Sequence, residues 1–375
     1  MAELTWADYA WKLLPILLVF GGVLSAVPLL VYLERKIAAF IQDRVGPNRV
    51  GLLGPDGLAE GVLGWRGTKR RVLGGLLQPI ADAVKLMAKE DIVPARADRF
   101  LYTLGPFFAL IPPLLMFVVV PVGADLMLPW RKDPLPMQVA DLNVGVLWVL
   151  SVASLSVYGV ALGGWASNNK YSLLGGVRAT AQMISYEIGL GLVILCMAMQ
   201  YGTVSLREMV EQQAAGWWGI ARQPLAFVLF VVCAFAENNR LPFDMPECET
   251  ELIGGYHTEY SSLKFGMFMQ GEYIAMMAMG ALVATLFLGG WHFPGYGALS
   301  AAAGGNPWAQ AGVALLSLAA FGLKVLLFLF VQMWVRWTLP RFRYDQLMRL
   351  GWKVVIPLGL ANMVLTALVN LPAGR

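Results

Sequence analysis

The chain has 375 residues, 58% hydrophobic and only 14% charged, with a formal net charge of +4 and a mean hydropathy of +0.62. Soluble domains carry about 25% charged residues, so lipid is the expected main solvent, and the small, scattered positive charge excludes a nucleic-acid binder. Three cysteines without paired spacing and two distant histidines exclude an iron–sulfur cluster, a haem or zinc site and a disulfide framework, which leaves any redox chemistry to a bound small molecule or a partner.

The first apolar run, 13–33, is too long for the core of a signal peptide and is followed by Glu34-Arg35-Lys36 rather than a small-residue cleavage site. It reads as a membrane span. About 20 apolar residues cross the hydrocarbon core, and eight runs qualify: 13–33, 101–122, 143–163, 181–200, 224–237, 266–290, 310–335 and 354–370. The fifth is short. The predicted fold is therefore all-α: one polytopic transmembrane domain over 1–375, with eight transmembrane helices plus amphipathic helices at the interface. Loops 34–100, 164–180, 238–265 and 336–353 hold 21 Lys and Arg residues, and the opposite set holds 6. The positive-inside rule then puts the large loops in the cytoplasm and both termini in the periplasm. No internal repeat is visible, which argues against a secondary transporter built from two related halves.

After the first span comes a mixed polar stretch, Glu34-Arg35-Lys36 and then Gln42 to Gly51, whose Gly46-Pro47-Asn48 reads as a tight turn. Cations alone would be plain membrane anchoring. Here Arg35 and Arg44 alternate with Glu34, Asp43 and Asn48, which suits a preorganised polar surface. Further on, Gln78 to Glu90 places apolar residues at 80, 83, 84, 87 and 88 on one stripe, with Asp82, Lys85 and Lys89 off it. That pattern predicts an amphipathic helix lying at the membrane interface.

Acidic residues carry the strongest chemical signal. Glu187 falls inside the fourth span and Glu272 inside the sixth, where an ionisable group is costly and usually marks an ion path. Between them, Glu237, Asp244, Glu247, Glu249, Glu251 and Glu259 put six carboxylates within 23 residues, beside a lone Arg240. Leu, Phe, Met, Pro, Ile and Tyr thread this loop. A loop meant only for water does not need that apolar content, whereas a partly buried, proton-handling cluster does, and burial with like-charge crowding raises carboxyl pKa values. Lys324, inside the seventh span, either pairs with one of these acids or continues their path, or else snorkels to the interface. The segment Trp334 to Met348 alternates Arg, Trp and Tyr, as a membrane interface or protein contact would.

Taken together, ERK, QDRVGPNRVG, LLQPIADAVKLMAKED, YSLLGGVRATAQMISYE, AENNRLPFDMPECETELIGGYHTEYS, GEY and RWTLPRFRYDQLM closely resemble the H subunit of the bacterial proton-pumping NADH:quinone oxidoreductase, respiratory complex I, known as subunit 1 in mitochondria. The strings span Glu34 to Met348 in family order. The resemblance implies an inner-membrane subunit docked under the peripheral arm, lining the tunnel by which an isoprenoid quinone, ubiquinone or menaquinone, leaves the bilayer. It implies that iron–sulfur clusters and flavin belong to partner subunits, and that the chain adjoins antiporter-like membrane partners. Carried onto matching positions, Arg35, Arg44 and Asp82, with Lys85 nearby, would shape the quinone tunnel. Glu237, Asp244, Glu247, Glu249, Glu251 and Glu259 would form an acidic funnel, with Glu187 and Glu272 linking it to the membrane's polar axis as a proton relay. The same fold also serves energy-converting hydrogenases and other complexes that do not use NADH, and this remains the alternative. One departure stands out: residues 52–74, with Pro55-Asp56-Gly57 and Lys69-Arg70-Arg71, exceed the family's usual short connection. They are expected to form a cytoplasmic excursion against a neighbouring subunit or lipid headgroups. Met245 and Cys248 are milder changes that leave the acids in place.

Overall fold

The computed structural model describes residues 6–48, 75–131, 133–245, 253–304 and 306–370. The 52–74 excursion and Glu247, Glu249 and Glu251 lie outside them. Among the described residues the architecture is helical throughout, with one isolated antiparallel bridge between Leu126 and Leu135. Helix α1 is Trp6–Ile41, α2 Gln78–Ala88, α3 Arg99–Met116, α4 Gly145–Ala166 and α5 Lys170–Tyr201. After them come α6 Leu206–Ala214, α7 Pro224–Glu237, α8 Ser262–Phe287, α9 Tyr296–Ala303 and α10 Pro307–Thr338. The chain closes with α11 Tyr344–Leu350 and α12 Ile356–Asn370, joined through a π-helical turn at Gly351–Val355.

Among the described residues, seven helices are long and apolar enough to cross a membrane, counting α11 to α12 as one, and α7 is a shorter apolar helix. At 1.5 Å per residue, its 14 residues rise about 21 Å, short of the ~30 Å hydrocarbon core. Helix α1 continues two turns past the expected end of the first span, carrying Glu34, Arg35 and Lys36 on helix rather than loop. It ends at Ile41, where Asp43 turns the backbone at φ +53° and Arg44 N–H donates back to Ala39 O at 2.8 Å.

Helix ends are set by local chemistry. Asp98 caps α3 by accepting from the backbone N–H groups of Phe100 and Leu101 at 3.0 and 3.2 Å. Asn169 caps α5 through Tyr171 N–H at 2.9 Å, and Gly202, at φ +66°, ends it.

The bundle packs α3 on α4, α4 on α5 and α8 on α3, using small residues at the crossings as membrane helices do. Ala109 of α3 is pinched between two glycines: a Cβ on Gly159 of α4 would lie 2.5 Å from its amide nitrogen, and one on Gly271 of α8 2.4 Å from its carbonyl oxygen. This close approach fixes the height of Glu272, the next residue along α8.

Among the described residues Lys324 pairs with none of the acids expected as its partners. Its Nζ donates to the backbone carbonyls of Leu288, Gly290 and His292 and lies 4.7 Å from the Trp218 ring centroid. The long stem carries the charge to the C-terminal end of α8, where carbonyls lack helical partners and a cation is favoured.

Candidate functional site: a charged cavity at one end of the bundle

A cavity of about 630 Å³ opens at the end of the bundle where α1 ends and α8 begins. Pro79, Asp82, Ala83 and Leu86 of α2 form one wall. Val27, Val31, Ala38 and Phe265 supply apolar surface, and Glu34, Arg35, Arg44, Arg240, Glu272, Tyr273 and Arg336 supply polar groups. A mostly apolar lining with a few convergent polar groups, at this volume, suits a small-molecule site of about 300–1,000 Å³.

The amphipathic helix α2 serves both of its faces. Its inner side lines the cavity, while Ile80, Val84 and Met87 are exposed on the outside. Arg35 pairs with Asp82 at 2.6 Å across the cavity mouth, and Gln78 also donates to Asp82 at 3.1 Å. Arg44 is brought in by the turn after α1, where its N–H donates to Ala39 O at 2.8 Å and Lys36 Nζ to Val45 O at 2.9 Å. Lys85 is exposed and does not line the cavity.

At the inner end sits a cluster of buried charges. Glu34 is 5% exposed and Arg240 4%. Arg240 Nη1 donates to both oxygens of Glu34 at 3.0 and 2.9 Å, and its Nη2 to Glu272 Oε2 at 3.3 Å. Arg336 also donates to Glu34, and Tyr273 O–H donates to Glu34 Oε2 at 2.8 Å. The Arg240 guanidinium lies 4.7 Å from the Tyr273 ring centroid. Burial works against the Arg240 charge, but Glu34 and then Glu272 outweigh it and hold the group well above its usual pKa. Two acids and two bases leave this cluster without net charge.

Glu272 also lines a second, smaller cavity of about 50 Å³, with Glu237, Asn238, Asn239 and Ser156. One water needs roughly 10–15 Å³ of such space, so a few fit. Glu237 Oε2 and both polar atoms of the Asn238 side chain are buried there with no hydrogen-bond partner among the described residues. Buried polar atoms are normally satisfied, which makes this a place for water.

Asp244 is buried a little further on and pairs with Arg341 at 3.0 Å. Burial pushes its carboxyl up to about 6; Arg341 opposes that shift and Glu272 adds to it. Phe243 stacks on Phe342 at 5.5 Å, and Phe342 N–H donates to Pro242 O at 3.1 Å, so the α10–α11 connection clasps the loop. Glu187 accepts from Ser154 O–H and lies close enough to Glu237 for the two charges to interact, yet it lines neither cavity. Glu259 is held apart as well, accepting from Asn169 Nδ2 at 2.6 Å.

The fold thus gathers Arg35, Arg44, Asp82, Glu237, Asp244 and Glu272, and separates Lys85 and Glu259 from them. Sequence reading passed over the pairing of Glu34 with Arg240 and Arg336. A signal was present: Arg240 is a lone cation amid six carboxylates, a pattern that calls for a buried partner.

A family model described as NADH dehydrogenase matches residues 14–367. The NADH-quinone oxidoreductase H subunit 1 of Cytophaga hutchinsonii is 48% identical over 335 residues, covering 89% of each chain. The corresponding H subunit 1 of Geobacter metallireducens is 48% identical over 359 residues, 96% of each chain. The H subunit of Syntrophotalea carbinolica is 47% identical over 350 residues, 93% of each. With a match of this length and relatives this similar end to end, the chain belongs to the NADH dehydrogenase family, alongside the H subunits of the NADH-quinone oxidoreductases.

Proposed function

We propose that this chain is the inner-membrane subunit of a proton-translocating NADH:quinone oxidoreductase that admits the quinone and couples its reduction to proton movement. The observation that carries the reading is Glu272, which lines both the large cavity and the small one beside Glu237. The large cavity, with apolar walls and a charged inner end, fits a substrate with an apolar tail and a polar ring. Arg35, Arg44 and Asp82 shape its mouth. Glu272, Glu237 and Glu187 form the start of a carboxylate relay, with Asp244, Glu247, Glu249, Glu251 and Glu259 as the surrounding acidic loop. The chemistry of electron transfer is supplied by partner subunits. This chain's residues bind, orient, and hold or move protons. The quinone-site loops face the cytoplasm and both termini the periplasm, as the 21 to 6 division of Lys and Arg supports.

Two variants of the assembled complex test the reading. Gly266→Phe adds bulk to the cavity wall, where Leu86 stands 3.5 Å from a new Cβ, so the quinone KM should rise. Glu272→Gln should lower protons translocated per electron while quinone is still reduced. Wild-type KM in the first and wild-type stoichiometry in the second would overturn it.

A further inference from the structure

Helix α7 ends at Glu237, and the chain from Asn238 to Asp244 is folded into the interior: Asn238, Asn239, Arg240 and Asp244 are all buried. Buried irregular backbone must find partners for its carbonyls, and the last four carbonyls of a helix have none of their own. Gln182 of α5, with 0% exposure, answers that need. Its Nε2 donates to Ala236 O at 2.7 Å and to Phe243 O at 2.8 Å, with Asn239 Oδ1 at 3.2 Å. An amide nitrogen carries two hydrogens, so the two short bonds use both. They join the last turn of α7 to a residue seven positions later and close the turn between them.

That turn holds Glu237 on one side, facing the small cavity, and Arg240 on the other, bound to Glu34 and Glu272. Asn239, at its centre, has φ +49°, a left-handed conformation that Asn tolerates better than most residues. Gln182 also shares α5 with Glu187, which interacts electrostatically with Glu237.

We infer that Gln182 is the positioning residue for proton transfer here: its amide staples the turn that fixes Glu237 relative to Arg240, Glu272 and Glu187. This rests on the relay reading above. Gln182 touches no substrate and exchanges no proton; it acts through the residues of the turn.

The test uses Gln182→Met, of similar shape without donors, in the assembled complex, with backbone hydrogen exchange and proton translocation measured together. Exchange at Arg240 to Met245 should quicken about tenfold once the staple is lost, and protons per electron should fall. Unchanged exchange overturns the inference. Quickened exchange with wild-type stoichiometry also overturns the positioning role, whereas the relay itself falls only with wild-type stoichiometry in Glu272→Gln. Should Gln182→Met fail to assemble, Gln182→Glu replaces it: a protonated carboxyl donates one of the two bonds and an ionised one donates neither. Its stoichiometry should then recover as pH falls, and a pH-independent defect overturns the inference.

Discussion

Removing the cation beside Asp244 should move its titration upward, by an amount the geometry bounds. Arg341 and Asp244 are 3.0 Å apart, with side chains 29% and 9% exposed. Opposite unit charges at that distance interact by about 5 kcal/mol at an effective dielectric of 20. Solvent at the arginine screens part of this, and neighbouring opposite charges move carboxyl pKa values by about 1–3 units in practice. In Arg341→Met the carboxylate loses its nearest favourable partner, and Arg336 alone is left to offset burial and Glu272. From about 6, the midpoint should therefore rise to about 7–9. Stability follows the same sign. An aspartate whose folded pKa lies above the unfolded value stabilises the fold fully at pH below about 4, and that contribution is lost as pH rises through about 6. The assay is infrared spectroscopy of the complex titrated across this range, following the carboxylic-acid carbonyl band that is absent in Asp244→Asn. Arg341→Lys, which keeps the charge, should titrate near wild type. A band that titrates in Arg341→Met at or below the wild-type midpoint would refute the electrostatic reasoning.

Arg240→Met should be worse than Arg240→Met combined with Glu34→Gln. The single change leaves buried acids without their main cation, at a cost of about 3–5 kcal/mol, and the yield and heat resistance of assembled complex measure the difference. Lys324→Met strips a donor from three carbonyls, each worth about 1–3 kcal/mol if left unsatisfied. The thermal midpoint of the complex should fall, with the quinone KM unchanged. Gly271→Ala would press a Cβ within 2.4 Å of Ala109 O, whereas nothing among the described residues lies within 4 Å of one on Gly191. Native gels should show less complex for the first substitution and wild-type amounts for Gly191→Ala.

The long spans were legible because lipid demands long apolar runs, and the fifth run was read at 224–237, the bounds of α7. What escaped was pairing across distance. Glu34 and Arg240 are 206 positions apart, and Glu34 and Arg336 are 302 apart. Periodicity names the face a residue occupies, never the partner it meets. Lys324 escaped for a related reason: its position on the chain is mid-helix, but its four-carbon stem delivers the charge to the end of a different helix. Glu259 shows the converse: closeness in sequence to the other acids leaves its carboxylate, bonded to Asn169, outside both cavities.

The balance of the inner cluster bears on why so much charge is kept where burial opposes it. A buried ion pair is weak evidence for stability, since a well-packed apolar replacement is often as good, so stability alone does not account for Glu34, Arg240, Glu272 and Arg336. On the proposed reading their value lies in being balanced. An anion arriving in the large cavity competes with Glu34 for Arg240 and Arg336, and with Glu272 for Arg240. Glu34 has a third partner in Tyr273 at 2.8 Å, whereas Glu272 is tied to Arg240 by a single longer bond of 3.3 Å. Glu272 is therefore the acid most easily released, and it already lines the small cavity that holds Glu237. The same competition reaches Asp244, whose carboxyl responds to both Glu272 and Arg336. Charge arriving at the cavity is thus felt first by Glu272 and, through it, by Asp244.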